Sequence, residues 1–348
     1  MNDYFSPDYM TARRRFREAV TLRGGRLDSL ELTAKGPRDE ELTIDIGWFG
    51  AANPRRVLVH SSGLHGVEAF PGSAIQLQWL AEGIPPNPED RAIALVHVLN
   101  PYGMAWLRRF NEHNVDLNRN FLGLDEKFEG APEGYAHLNE FLNPLVPPSS
   151  AGFYLQAAVL LARQGMAALK EAVAAGQYEY PKGLFFGGAR LEQGPAKLHD
   201  YMVARLKAVE RIVAIDVHTG LGTFGDDRLL VRTMASAMAA AFGNRLQPLG
   251  TSGVAYQTRG DQENMYQRLC SGAEVYFATQ EFGTYHPVKV LKALRAENQW
   301  HNYGDRAVDH PAKTRLRAVF SPEAPSWRTY VLRRGHEVIS QAQTLAFG

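Results

Sequence analysis

The chain has 348 residues, 45% of them hydrophobic and 22% charged, with a formal net charge of +1; that is enough for one large α/β domain with an ample core. So even a charge balance gives no reason to expect a nucleic-acid partner, and the single cysteine, Cys270, precludes a disulfide framework within the chain and fits a cytoplasmic home. No stretch approaches the roughly 18 consecutive apolar residues of a membrane span, and the opening segment lacks the apolar centre of a signal peptide.

SPDYMTARRRFREAV predicts a helix with Ser6 as its N-cap and Pro7 at its first helical position. ELTIDIGWFG, from residue 41, alternates and reads as a strand. RRVLVHSSG from 55, AIALVHVLN from 92, GLFFGG from 183, RIVAIDVHTG from 211, RLLVRT from 228 and EVYFATQEFG from 274 are compact apolar runs stopped by polar residues or glycine. Several have the character of strands buried on both faces of a sheet. Helical patterns occupy 70–82, 151–175, 194–209, 235–243 and 287–300. Strands separated by helices predict an α/β fold, with a mixed or mainly parallel sheet covered on both faces. The Pro-rich EGIPPNPED and NPLVPPSS are too short for domain linkers, so residues 1–348 read as one domain, with 122–150 a surface excursion.

In open α/β sheets, ligand sites form beyond the carboxyl ends of strands. One such end leads to His65 and Glu68, another delivers His218 and a third Glu281. Two histidines and a carboxylate form a known ligand set for catalytic zinc, which keeps a fourth position for water. Asp116 and Asp216 are available to fix the imidazole tautomers, and Asp216, two residues before His218 in one strand, faces the same way. Hydrolysis also needs a carboxylate that does not bind the metal and that accepts and returns a proton; Glu281 fits this role. Arg108, Arg109 and Arg119 are candidates for steadying a developing oxyanion and clamping a substrate carboxylate. His60 and His97, inside strand runs, read as packed residues, and His113, in a polar loop, as solvated.

These residues resemble a family. GLHGVE is similar to the His-x-x-Glu motif of the carboxypeptidase A-like zinc carboxypeptidases, and NPYG…RR…NVDLNRNF to that family's Asn-Pro-x-Gly segment and Asp-x-Asn-Arg-Asn-aromatic block. IDVHTG resembles the third-ligand strand in the form seen in succinylglutamate desuccinylase and aspartoacylase relatives, and TQEFG the strand ending in the catalytic Glu. The resemblance implies a twisted, mainly parallel sheet of about eight strands. It implies one Zn2+ per chain on His65, Glu68 and His218, with Glu281 acting as general base and acid on the zinc-bound water. It also implies that Asn118 and Arg119 grip a terminal carboxylate, that one of Arg108 and Arg109 (Arg109 is preferred) polarises the scissile carbonyl, and that Asp116 orients His65. AYQTRG resembles the family's mobile Tyr-Gln-x-x-Gly loop and nominates Tyr256 to cap the substrate; counting onward points to Glu263 as a specificity position.

The expected activity is therefore zinc-dependent cleavage of an amide next to a free carboxylate, with a small peptide as substrate. Two alternatives stand beside it: a deacylase of N-acylated amino acids, and a non-catalytic metal-binding module on the same fold. A Ser-His-Asp hydrolase is disfavoured, since HSSG is not a G-x-S-x-G elbow.

Overall fold

A computed structural model describes residues 4–85, 89–145, 152–162, 175–249 and 259–348. Its centre is one sheet of eight strands: β1 (Arg26–Lys35), β2 (Glu41–Gly50), β3 (Arg56–Ser62), β4 (Arg91–His97), β5 (Arg211–Thr219), β6 (Asp227–Val231), β7 (Leu246–Pro248) and β8 (Glu274–Phe282). They lie in the order β1-β2-β4-β3-β5-β8-β6-β7. The inner four, β4, β3, β5 and β8, run parallel, while β1, β2 and β6 join antiparallel to their inner neighbours. Parallel strands put their carboxyl ends at one edge, so the residues leaving β3, β5 and β8 emerge side by side.

The apolar runs form these strands because both faces are covered. Along β3, Val57 and Val59 pack with Leu198 and Met202 in one core layer. Leu58 packs in the opposite layer with Ile75 and Val338, from the helices Ala69–Glu82 and Pro325–Phe347. A period-2 side-chain alternation thus feeds two apolar layers at once. The chain leaves β3 through Gly63, at φ +69°, where an added Cβ would fall 2.3 Å from Val98 Cγ1. Only glycine suits both that backbone and that approach. A short turn, Gly66–Glu68, then passes into the Ala69–Glu82 helix.

His60 and His97 are fully enclosed, as packed residues should be. His60 lies against Trp79 and Gln76, and His97 stacks on Phe16 with its Nε2 2.9 Å from Ser73 Oγ. Burial pushes both imidazoles down to about 4. The folded state therefore keeps them neutral while the unfolded chain binds protons below its ordinary value of about 6.5. Stability from these groups is complete above that value and is lost as pH falls toward 4, by about 3 kcal/mol for each imidazole. In the metal-free protein, the loss of stability between pH 7 and 4.5 should be about 2 kcal/mol smaller for His97→Gln than for the parent. Urea unfolding at the two pH values measures this; identical losses would remove His97 from the acid response.

The structure departs from the sequence reading in several places. The first helix runs Tyr9–Leu22 and is capped by Asp8, whose Oδ1 accepts from Thr11 N at 2.8 Å, not by Ser6. GLFFGG forms no strand: Phe185 sits at φ +59°, which breaks an extended run, and only an isolated bridge joins Phe186 to Gln177. β1 has no strand pattern in the sequence because only Leu32 in it is buried, and β7 none because it has three residues. Of the predicted helix at 151–175, residues 153–162 are helical and 163–174 lie outside the described residues. Further helices, Gln262–Leu269, Pro311–Phe320 and Pro325–Phe347, have no counterpart among the predicted elements. The described part of the segment, 122–145, is more than a surface excursion, since its helix Glu133–Leu142 buries Tyr135, Leu138 and Leu142 in a third apolar cluster. No described helix is long and apolar enough to cross a membrane.

Candidate metal centre and active site

Two strand ends build the metal centre, and a third brings Glu281 beside it. The turn after β3 presents His65 and Glu68, and the end of β5 presents His218. The side chains of all three are buried, and their candidate ligand atoms lie within 4.8 Å of one another. His65 Nδ1 is 3.0 Å from Glu68 Oε1 and His218 Nδ1 is 3.4 Å from Glu68 Oε2. The two imidazoles meet edge to face, 4.8 Å between centroids. Each Nε2 faces a carboxylate: Asp116 Oδ1 at 3.0 Å from His65 and Asp216 Oδ2 at 2.5 Å from His218. With a cation bound, an Nε2–H donated outward to each carboxylate would leave both Nδ1 lone pairs for the ion, the tautomer a metal requires. This donor set fits a first-row divalent metal such as Zn2+.

The turn is held from below. Gly66 N and Val67 N donate to the carbonyls of Arg109 and Arg108, at 3.1 and 2.8 Å. A Cβ on Gly66 would fall 2.0 Å from the Gly103 backbone, so the ligand turn and the Asn-Pro-x-Gly segment touch main chain to main chain. Thr219 N donates to Glu68 Oε2 at 3.0 Å, tying the β5 exit to the same carboxylate.

Electrostatics follow from this packing. Burial opposes ionisation of Glu68, but His65, His218 and Arg109 outweigh it and hold the carboxyl well below the usual range. Asp116 behaves alike: burial is overcome by Arg109, His65 and Arg119. Burial works against a charged His218, yet Asp216 and Glu68 raise its pKa well above the ordinary value. The carboxylates and imidazoles pair with one another. A bound cation would take over that compensating charge.

Glu281 is the register neighbour of His218 across β5 and β8. It is buried, and its Oε1 accepts from Leu221 N at 2.8 Å. Burial and the nearby Glu68 charge push its carboxyl up to about 8. Arg109 reaches the centre: its Nη1 donates to Glu68 Oε1 at 2.8 Å, its Nε to Asp116 Oδ2 at 3.2 Å, and its Nη2 lies 2.7 Å from His65 Nε2. Asn118 and Arg119 line the same cleft, as does Glu263, whose carboxyl burial and Asp261 push up to about 7.

Arg108 does not reach the cleft, and its expected part in substrate binding is corrected. Its guanidinium turns into a buried network, bonding Glu297 at 3.0 Å, Asn114 at 2.7 Å and Asn298 at 3.1 Å. Neighbours in an irregular segment point apart, and the buried Glu297 draws Arg108 inward. Tyr256 lies outside the described residues. His113, expected to be solvated, has a side chain 56% exposed, with its Nδ1 2.6 Å from Glu192 Oε2.

The fold and its buried centre define the class: an α/β protein with two histidines and a carboxylate converging at parallel strand ends. The chain belongs to the family described as protein of unknown function DUF2817, which matches residues 5–334. A comparison with curated proteins finds no match. Among solved structures the chain is similar to murein-tripeptide amidase MpaA from Escherichia coli O157, with 18% identity and a TM-score of 0.39 over 79% of this chain and 92% of that one. It is similar to bovine thrombin-activatable fibrinolysis inhibitor in complex with tick carboxypeptidase inhibitor, with 10% identity and a TM-score of 0.45 over 95% and 99%. A third is a succinylglutamate desuccinylase from Silicibacter sp. TM1040, with 11% identity and a TM-score of 0.40 over 79% and 64%.

Proposed function

We propose that the chain is a metal-dependent hydrolase that cleaves an amide bond next to a free carboxylate. The observation that carries this reading is the convergence of His65, Glu68 and His218, with Glu281 beside His218 in register and Arg109 against the same centre. Each group answers one requirement of amide hydrolysis. His65, Glu68 and His218 hold the metal, zinc being the ion this donor set suits best. Bound there, the ion supplies Lewis-acid polarisation and a water of lowered pKa. Glu281 takes the proton from the attacking water and returns it to the leaving nitrogen. Arg109 donates to the oxygen on which charge develops. Asn118 and Arg119 receive the substrate carboxylate, with Tyr256 capping it, and Asp116 and Asp216 keep the two imidazoles in the ligating tautomer.

Two substrate classes place a carboxylate beside the scissile amide: short peptides cleaved at their C-terminal residue, and N-acylated amino acids. The carboxypeptidase-type reading leads, and the deacylase reading is its alternative. Metal analysis of the purified protein should return one zinc per chain. Removal by chelator should abolish hydrolysis of a panel of dipeptides and N-acyl amino acids, and added Zn2+ should restore it. Stoichiometric metal with no turnover across the panel would favour the non-catalytic module instead.

A further inference from the structure

The cleft that holds the centre encloses about 570 Å³, within the range of small-molecule sites, and it has two unlike arms. One runs back along β8. Phe277, Thr279 and Glu281 share a strand face, so Phe277 lies about 13 Å behind Glu281. This arm carries the polar groups Asn118, Arg119, Asp261 and Glu263. The other arm lies past the end of β8, under the helix Pro287–Tyr303 that follows it. Leu138, Leu142, Leu160, Phe185, Leu291 and Leu294 line it. Its walls come from the third apolar cluster, which reaches the centre through Phe185, 5.6 Å beneath the Arg109 guanidinium. Among the described lining residues, every charged or titratable side chain sits at the centre or on the polar arm except His286, the N-cap of the helix Pro287–Tyr303, at the rim of the second arm.

We infer that this second arm receives the acyl side of the substrate and that the acyl group is an extended hydrocarbon. The inference rests on the hydrolase reading and, against the ranking given above, turns it to the deacylase alternative: N-acyl amino acids with aliphatic or aromatic acyl chains. The polar arm holds the carboxylate end, so the scissile bond at Glu281 and the metal ligands leaves the carbonyl substituent pointing the other way. A peptide continuing there would bring amides and a charged amine against a wall that, among the described residues, carries no carboxylate and only His286 at its rim, at a desolvation cost. A hydrocarbon chain gains on entering it. The segment that supplies Leu138, Leu142 and Leu160 falls within residues 122–190, which the motif resemblance does not cover.

The zinc-loaded enzyme, assayed with N-acyl amino acids sharing one amino acid and carrying straight acyl chains of increasing length, should show kcat/KM rising about fourfold per methylene until the arm is full. Leu160→Ser and Leu291→Ser should flatten that slope. Titration calorimetry of zinc-loaded Glu281→Gln with the same series should show the same rise in affinity. The inference is overturned by a flat or falling dependence on chain length, or by dipeptides with an apolar N-terminal residue outpacing every acyl derivative. Hydrolysis of short acyl chains with a flat slope sinks the hydrocarbon arm and leaves the hydrolase reading standing. No turnover at any length sinks the hydrolase reading, while the calorimetric series still decides the arm.

Discussion

Glu281→Gln should bind metal as tightly as the parent and lose turnover by about 10²–10⁴-fold, the range that general acid–base catalysis contributes. The substitution is isosteric. The amide oxygen of glutamine accepts from Leu221 N as Glu281 Oε1 does at 2.8 Å, so the β8 exit keeps its local bond. His65, Glu68 and His218 make up the metal-ligating group without Glu281, so the donor set is untouched. What disappears is the carboxylate that accepts and returns a proton. Metal content by elemental analysis, unfolding midpoint and kcat should be read on the same sample. Turnover within tenfold of the parent, with metal retained, would assign the proton shuttle to another group. Loss of metal together with activity would show that Glu281 supports the centre itself.

Arg108→Met should cost about 3–5 kcal/mol of stability, as expected when one partner of a buried ion pair is removed. Arg108 and Glu297 are 1% and 0% exposed, and Lys313, also enclosed, donates to the same Glu297 oxygen at 2.5 Å. Lys313 in turn lies 3.0 Å from His301 Nδ1, and Tyr102 OH is 3.3 Å from the other ring nitrogen. Burial, reinforced by the Arg108 and Lys313 charges, keeps His301 neutral and able to accept there, and burial lowers Lys313 to about 8. The effect should extend to metal binding, since the Arg108 carbonyl accepts from Val67 N and the Arg109 carbonyl from Gly66 N of the ligand turn. Urea unfolding of the metal-free variant measures the first effect, and chelator competition the second. Arg108→Lys keeps the charge but loses the fork that reaches Asn114 and Asn298, so it should fall between parent and Arg108→Met. A change in stability within about 0.5 kcal/mol for Arg108→Met would mean that the network relaxes around the loss.

The inner strands β3, β4, β5 and β8 were legible because a strand buried on both faces must be apolar along its length. The edges were not. β1 is mostly solvated and β7 is three residues long, so neither has a pattern set by burial. GLFFGG has strand composition, yet its phenylalanines are buried by loop packing, with Phe185 in a left-handed backbone. The helix Glu133–Leu142 did leave a signal, since Tyr135, Leu138 and Leu142 recur at helical spacing. That spacing marks an apolar face without naming the cavity it walls.

The local order of residues alone determined that a histidine and a glutamate three apart would follow β3, and that Asp216 and His218 would share a face of β5, because turn geometry and the period of two are short-range constraints. Only the tertiary structure decided which of two adjacent arginines faces the centre. Arg108 is claimed by Glu297 and Asn298, from a helix remote in the chain, and by the nearby Asn114, while Arg109 is left for Glu68 and Asp116. The same holds for the apolar arm, whose walls join helices and loops from about residue 138 to residue 294. Such a cavity comes from packing between distant elements, which no local pattern encodes.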